Sequence, residues 1–249
     1  MMLIINADDF GLSDSVNRAI TNAFKNAFIS DTTMMANGEY FDEAAGMAKQ
    51  NGFSDKIGIH FNLTEGIPLT DDIKKYSAFC ENGVFHGNVN RLNPLCSAEK
   101  SAIYKELSAQ VTKIKTAGFA IDHADSHHHI HTAVFIAPIV SLICKENSIN
   151  KIRIHRNIGN IKPYKMLVKN LYNRNLRKNG FITTNYFGSL DDINGAELPD
   201  SLEIMVHPDY DENGTLIDRR DFISGFPAGV PLYNLSEEKH VELKAYGDL

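Results

Sequence analysis

Short apolar runs alternate with amphipathic stretches along most of this chain, and that alternation sets its fold class. Leu3-Ile4-Ile5 opens the series. Residues 32–36, 57–61, the segment around Ile121, 151–154, 182–184 and 202–206 continue it, making about seven buried-strand candidates. Between them apolar residues recur at intervals of three and four, the period of a helix with one buried face. Val16, Ala19, Ile20, Ala23, Phe24 and Ala27 form one such stripe, with Ser13 placed to cap it. Ile103, Leu107, Val111 and Ile114 form another, and Phe135, Ile139, Leu142 and Ile143 a third. Core packing accounts for each stripe. Strands that alternate with helices predict an α/β fold with a parallel sheet or barrel. The pattern lapses at 68–97, which reads as a loop insertion that covers the site, and again at 208–235. With no repeats and no low-complexity tract, residues 1–249 read as a single domain.

Composition narrows the class. A chain of 249 residues with 43% hydrophobic and 22% charged residues can bury a core without covalent staples. A net charge of −6 excludes a general nucleic-acid binder and suits neutral sugars or small molecules better than polyanions. Cys80, Cys96 and Cys144 are odd in number, widely spaced and never paired as C-x-x-C, so neither a disulfide framework nor a zinc knuckle is expected. Cys144 reads as a small core residue. The opening Met1-Met2-Leu3-Ile4-Ile5 has no basic region and reads as a strand rather than a signal peptide. No run approaches the ~18 apolar residues of a membrane span. A cytoplasmic protein without a membrane partner is the expectation.

The residues that carry chemistry stand at the downstream ends of these strands. Asp8-Asp9 follows the first, His60 lies near the end of the third, and His207 follows 202–206. The run from Asp122 to His131, with five of the ten histidines, follows Ile121. In parallel α/β folds the C-terminal strand ends share one face, so these distant residues are expected to meet. Alone, an Asp-Asp pair is a turn element and a strand histidine a core residue. Together, an aspartate and two histidines with open positions make a site for Lewis-acid catalysis and water activation. Asp122 and Asp125 are placed as ligands or as orienters of ligands. In an extended backbone Asp8 and Asp9 would point to opposite sides, one to a metal and one to a reacting water. The same alternation would put His127, His129 and His131 on one face, with a single ligand among them. No G-x-S-x-G elbow or Gly-rich phosphate cradle occurs. Two other readings compete: a metal-dependent phosphoesterase on a histidine-rich barrel, and a non-catalytic sugar-binding protein. The first usually starts with His-x-His, whereas this first strand ends in Asp-Asp; the second leaves Asp8 and His207 idle.

Asn6-Ala7-Asp8-Asp9-Phe10-Gly11-Leu12-Ser13, Thr32-Thr33-Met34-Met35-Ala36-Asn37 and Ile57-Gly58-Ile59-His60-Phe61-Asn62-Leu63-Thr64 come in a telling order. Gly66-Ile67-Pro68-Leu69, Asp125-Ser126-His127-His128-His129-Ile130-His131 and Glu203-Ile204-Met205-Val206-His207-Pro208 complete it. From residue 2 to about 210 the chain resembles the YdjC-like carbohydrate deacetylases, the family that includes chito-oligosaccharide deacetylase. That resemblance implies an irregular (β/α) barrel of the polysaccharide-deacetylase type. It implies metal-dependent removal of N-acetyl groups from β-1,4-linked N-acetylglucosamine oligomers, as in chitin degradation, often by a homodimer. Carried over by position, Asp9, His60 and His127 would be the metal ligands, Asp8 the general base and His207 the general acid, with an exchange of roles between the two aspartates left open. His129, His131, Tyr210 and Arg153 are the expected substrate-binding residues; Arg153 could instead orient Asp8, and Tyr210 or Phe85 could stack on sugar rings. The donor set suits zinc, manganese or cobalt, while the resemblance points to magnesium. Two positions depart from the family pattern. Asp209 stands where glycine is common, and is expected to alter the rim of the site or bind the amino product. Asp31 stands where a small hydroxyl residue is usual.

Overall fold

The structure is a computed structural model that describes residues 2–193 and 197–249. In chain order its elements are β1 (Met2–Phe10), α1 (Asp14–Lys25), β2 (Asp31–Met34), α2 (Phe41–Gln50), β3 (Ile57–Phe61), α3 (Asp71–Lys74), β4 (Cys80–Glu81), β5 (Val84–Phe85), α4 (Ser97–Thr116) and β6 (His123–Ser126). There follow α5 (Ala137–Glu146), β7 (Lys151–Ile152), α6 (Pro163–Lys178), β8 (Tyr186–Ser189), β9 (Ser201–Val206), β10 (Pro208–Tyr210), β11 (Leu216–Ile223), β12 (Phe226–Pro231) and α7 (Leu235–Glu238).

Seven strands form one parallel sheet in the order β7-β6-β3-β2-β1-β9-β8. The sheet curls until its edges meet. Ile152 donates its backbone N–H to Ile182 at 3.2 Å, Ile182 donates to Asn150 at 2.9 Å, and Asn157 donates to Phe187 at 3.1 Å. The result is an irregular barrel, as the strand count anticipated. One strand is displaced from its expected place: 182–184 contributes only a bridge to Lys151, and the strand proper is Tyr186–Ser189. Gly188 hides it from a hydrophobicity pattern. A Cβ there would lie 2.5 Å from Ile158 Cγ1, so the closing seam admits only glycine.

The helices bury the faces their periodicity predicts. Val16, Ala19, Ile20 and Ala23 of α1 are buried, and Ser13 Oγ accepts the Val16 N–H at 3.2 Å as the helix cap. Ile103, Leu107, Val111 and Ile114 of α4 are buried in the same way, as is Cys144 on α5. Helix α6 differs. Only Asn173 and Leu176 are buried, while Tyr164, Leu167, Val168 and Leu171 form an exposed apolar stripe. The segment 208–235, expected to be irregular, builds an antiparallel sheet β10-β11-β12. Prolines at both ends of β12 and Gly229 mask it; a Cβ on Gly229 would lie 2.0 Å from the Asp218 carbonyl oxygen. The segment 68–97 carries α3 and the β4–β5 hairpin and reaches over the carboxyl end of the barrel. At the opposite end Leu243 bridges to Leu3, which ties the C-terminal segment to β1.

Candidate active site

The carboxyl ends of β1, β3, β6 and β9 surround a cleft of about 580 Å³ lined by Asp8, Asp9, His60, His127, His129 and His207, among others. Strand β1 reaches this point with a break. Its register with β2 shifts between Ala7 and Phe10, and Asp9 adopts φ 71°, left-handed for a non-glycine residue. The extended-backbone expectation of opposed side chains therefore fails, and both carboxylates face the cleft.

Asp9 Oδ1 lies 3.1 Å from His60 Nε2 and 2.8 Å from His127 Nδ1. One donor atom from each of the three side chains lies within 4.8 Å of the others. Behind each imidazole stands a carboxylate: Asp125 Oδ1 lies 2.7 Å from His60 Nδ1, and Glu65 Oε2 lies 2.8 Å from His127 Nε2. Such partners fix ring orientation and raise ligand basicity in metal sites. Thr33 Oγ1 braces this shell, 3.0 Å from His60 Nδ1 and donating to Asp125 Oδ2 at 3.1 Å. Burial alone would depress both histidine pKa values. Asp125 outweighs it and pushes His60 up to about 10, and Asp9 pushes His127 up to about 9.

Asp8 is held differently. Burial penalises its charge, but the Arg153 guanidinium outweighs this and keeps the carboxyl well below the usual range. The pair is bidentate, with Nη1 and Nη2 each donating over 2.7 Å. Arg153 also pairs with Asp125 at 2.6 Å and with Glu203 at 2.6 Å, and its planar face lies over the Phe187 ring. It has no solvent-exposed surface. Arg153 is thus a holder of Asp8 and not a substrate contact. Across the cleft His207 Nε2 stands 3.9 Å from Asp8 Oδ2, and its Nδ1 is 3.8 Å from Asp218 Oδ1. Burial lowers the His207 pKa; the nearby Asp218 and Asp8 carboxylates more than restore it, so it is raised.

Charge accounting tests whether a divalent ion fits. Asp8, Asp9, Asp125, Asp209 and Glu203 are buried and share the guanidinium groups of Arg153 and Arg219, so carboxylates outnumber their arginine partners. Imidazolium protons or a divalent cation would offset the excess. An oxygen and two imidazole nitrogens suit such an ion.

The remaining expected contacts fall elsewhere. The histidine run leaves β6 at His127, and left-handed φ values at His128 (49°) and His129 (53°) turn the chain. The shared face is lost: His129 lines the cleft, while His131 is fully buried, Nδ1 against Ser126 Oγ, out of reach of substrate. Tyr210 lies off the cleft and accepts a hydrogen bond from Asn22 at 3.0 Å. Phe85 is buried. Asp209 is also buried rather than on the rim. It accepts from Ser15 Oγ at 2.5 Å and pairs with Arg219, whose Nη2 reaches Asp9 Oδ2 at 3.1 Å. Residue-by-residue reading missed Glu65, Asp218 and the cleft-lining Arg91, Arg219 and Arg220, because all lie in the segments without periodicity or just after strand ends.

A curled parallel sheet whose strand ends gather one carboxylate and two imidazoles, beside a second arginine-held carboxylate, defines an irregular α/β barrel with a candidate mononuclear metal centre. The chain belongs to the YdjC-like protein family, whose model matches residues 2–246. A relative from Clostridium beijerinckii named carbohydrate deacetylase is 34% identical over 216 residues, covering 84% of this chain and 82% of that one. Another of the same name, from Geobacillus stearothermophilus, is 31% identical over 83% of this chain and 79% of its own length. Among solved structures, an Enterococcus faecalis V583 protein named for cellobiose-phosphate cleavage superposes with a TM-score of 0.71 at 20% identity. That match covers 99% of this chain and 98% of the other, and it supports the fold alone. No helix among the described residues is long and apolar enough to cross a membrane.

Proposed function

We propose that this protein is a divalent-metal-dependent carbohydrate deacetylase that removes N-acetyl groups from N-acetylglucosamine-containing oligosaccharides such as chitobiose. The observation that carries this reading is the meeting of Asp9, His60 and His127 beside Asp8, with His207 on the far side. Relatives named carbohydrate deacetylase support it. Asp9, His60 and His127 would hold the ion, with magnesium favoured by the family resemblance. When bound, a divalent cation there supplies Lewis acidity toward an amide carbonyl and a water.

This chain's own groups do the proton work. Asp8, ionised and locked edge-on by Arg153, accepts the proton of the attacking water. His207 donates a proton to the departing amine nitrogen, and its raised pKa keeps that proton available near neutrality. His129 and Arg91, lining the cleft opposite, offer N–H donors to sugar hydroxyls. The exposed apolar stripe on α6 supports a homodimer.

Acetate release from diacetylchitobiose tests the reaction. Turnover should vanish with EDTA and return with added divalent metal; activity that survives complete metal removal overturns the proposal. Asp8→Asn should abolish turnover and leave metal bound. Loss of metal instead means that Asp8 and Asp9 have exchanged roles. One metal per chain favours this reading over a phosphoesterase, for which two or three are expected.

A further inference from the structure

Tyr246 lies at the end of the barrel opposite the cleft, beyond every motif named so far. Its backbone N–H bonds the Asp31 carboxylate at 3.1 and 3.2 Å, and Lys244 N–H donates to the Leu3 carbonyl at 2.9 Å. These contacts seat the C-terminal segment under β1 and β2, which accounts for the departure at Asp31. The ring is fully buried and stacks on His123, with centroids 3.9 Å apart and planes within 7°. The hydroxyl points up the barrel axis region and donates to Glu203 Oε2 at 2.5 Å.

We propose that Tyr246 is a positioning residue for the catalytic base, acting through Glu203 and Arg153. The proposal rests on the reading of Asp8 as that base. Glu203 Oε1 accepts Arg153 Nε at 2.6 Å, and the two terminal nitrogens of the same guanidinium grip Asp8 at 2.7 Å each. A guanidinium is planar, so fixing Nε fixes the direction in which the Nη1/Nη2 edge faces. A second route reaches the same carboxylate. The His123 ring stacked on Tyr246 has Nε2 3.0 Å from Asn6 Oδ1, and Asn6 Nδ2 donates to Asp8 Oδ1 at 2.9 Å. One tyrosine therefore braces Asp8 along two paths, one of hydrogen bonds through Glu203 and Arg153 and one that starts with its stack on His123.

Removal of the hydroxyl leaves Glu203 Oε2 buried without its donor, a costly state. The carboxylate recovers a donor by drawing Arg153 toward itself, and the guanidinium edge turns from Asp8. The base is then misaligned and less favoured as an anion.

Tyr246→Phe keeps the ring, its stacking and the seat of the C-terminal segment. With diacetylchitobiose and saturating metal it should lower kcat about tenfold with KM unchanged, since a small misplacement of a catalytic group costs rate rather than binding. A role confined to folding would instead leave kcat per folded molecule unchanged. In a Glu203→Gln background the same substitution should add nothing, which identifies the path. 3-Fluorotyrosine at position 246 keeps every contact and is a stronger donor to Glu203, so it should change kcat with KM unchanged even if the phenylalanine variant folds poorly. A wild-type kcat for Tyr246→Phe, equal effects in both backgrounds, or an unchanged kcat with 3-fluorotyrosine each overturns the proposal. Failure of the underlying reading looks different: Asp8→Asn then keeps turnover or loses the metal, whatever stands at 246.

Discussion

At the scale of single residues, His207 is placed between two carboxylates of unequal duty. Asp8 lies 3.9 Å from one ring nitrogen and Asp218 lies 3.8 Å from the other. Asp218 is fully buried and also accepts the His207 backbone N–H at 2.8 Å, so it sets both the ring's place and its charge. A general acid must hold its proton, so kcat/KM falls as pH rises through the His207 pKa. That pKa is raised, burial notwithstanding, because the Asp218 and Asp8 carboxylates favour the imidazolium. Asp218→Asn withdraws one of them. The alkaline limb should therefore move to lower pH by about 1 unit, while the acid limb stays in place. A pH–rate profile of acetate release measures this, and an unmoved alkaline limb would sink the assignment of His207 as the acid. The sequence placed Asp8, Asp9, His60, His127 and His207 at strand ends, and the structure brings those five together. It could not show the paths of His129 and His131, since two left-handed residues redirect the run and no side-chain pattern marks them. Arg153 was legible as a substrate contact or an orienter of Asp8, but its three carboxylate partners, from β1, β6 and β9, were not.

Elements explain why those residues arrive in register. Strands β3 and β6 pair His60 with Asp125, and they can approach only because β3 carries glycine at 58. A Cβ on Gly58 would sit 2.5 Å from His123 Nε2, inside the buried His123–Asn6 contact. His123 cannot retreat, because Tyr246 stacks on its other face. Gly58→Ala should accordingly destabilise the fold by about 1–3 kcal/mol through overpacking. Chemical denaturation would register this as a lower midpoint with an unchanged slope, and a midpoint equal to wild type would show that β3 tolerates a side chain there. Period-based reading recovers elements with one apolar face, such as α1, α4 and the strands β1, β3 and β9. It fails where the apolar face is on the surface, as in α6, or where close backbone approach demands glycine, as in β8 and β12.

Across the whole molecule, the barrel encloses more negative charge than its arginines neutralise. Five buried carboxylates, Asp209 among them, face two guanidinium groups, and the imbalance sits at the carboxyl end, beside His60 and His127. Because the ligands come from β1, β3 and the turn after β6, an ion there crosslinks segments far apart in the chain. The unfolded chain cannot present Asp9, His60 and His127 together, so the ion binds the folded state preferentially. At a free metal concentration a hundred times its dissociation constant, the stabilisation is about 2.7 kcal/mol. For a chain of this length that corresponds to a rise in Tm of roughly 5–11 °C. Calorimetry of metal-stripped protein, titrated with magnesium, manganese or zinc in turn, should show the rise for whichever ion the site accepts. His127→Ala should fold without metal and lose the rise, since it deletes one ligand at the cleft surface and leaves the Arg153 cluster intact. A Tm indifferent to all three metals would mean that the excess charge is neutralised by protons on the imidazoles instead. Arg153 would then hold a proton-balanced cluster, and the Asp9–His60–His127 convergence would lose its claim to be a metal centre.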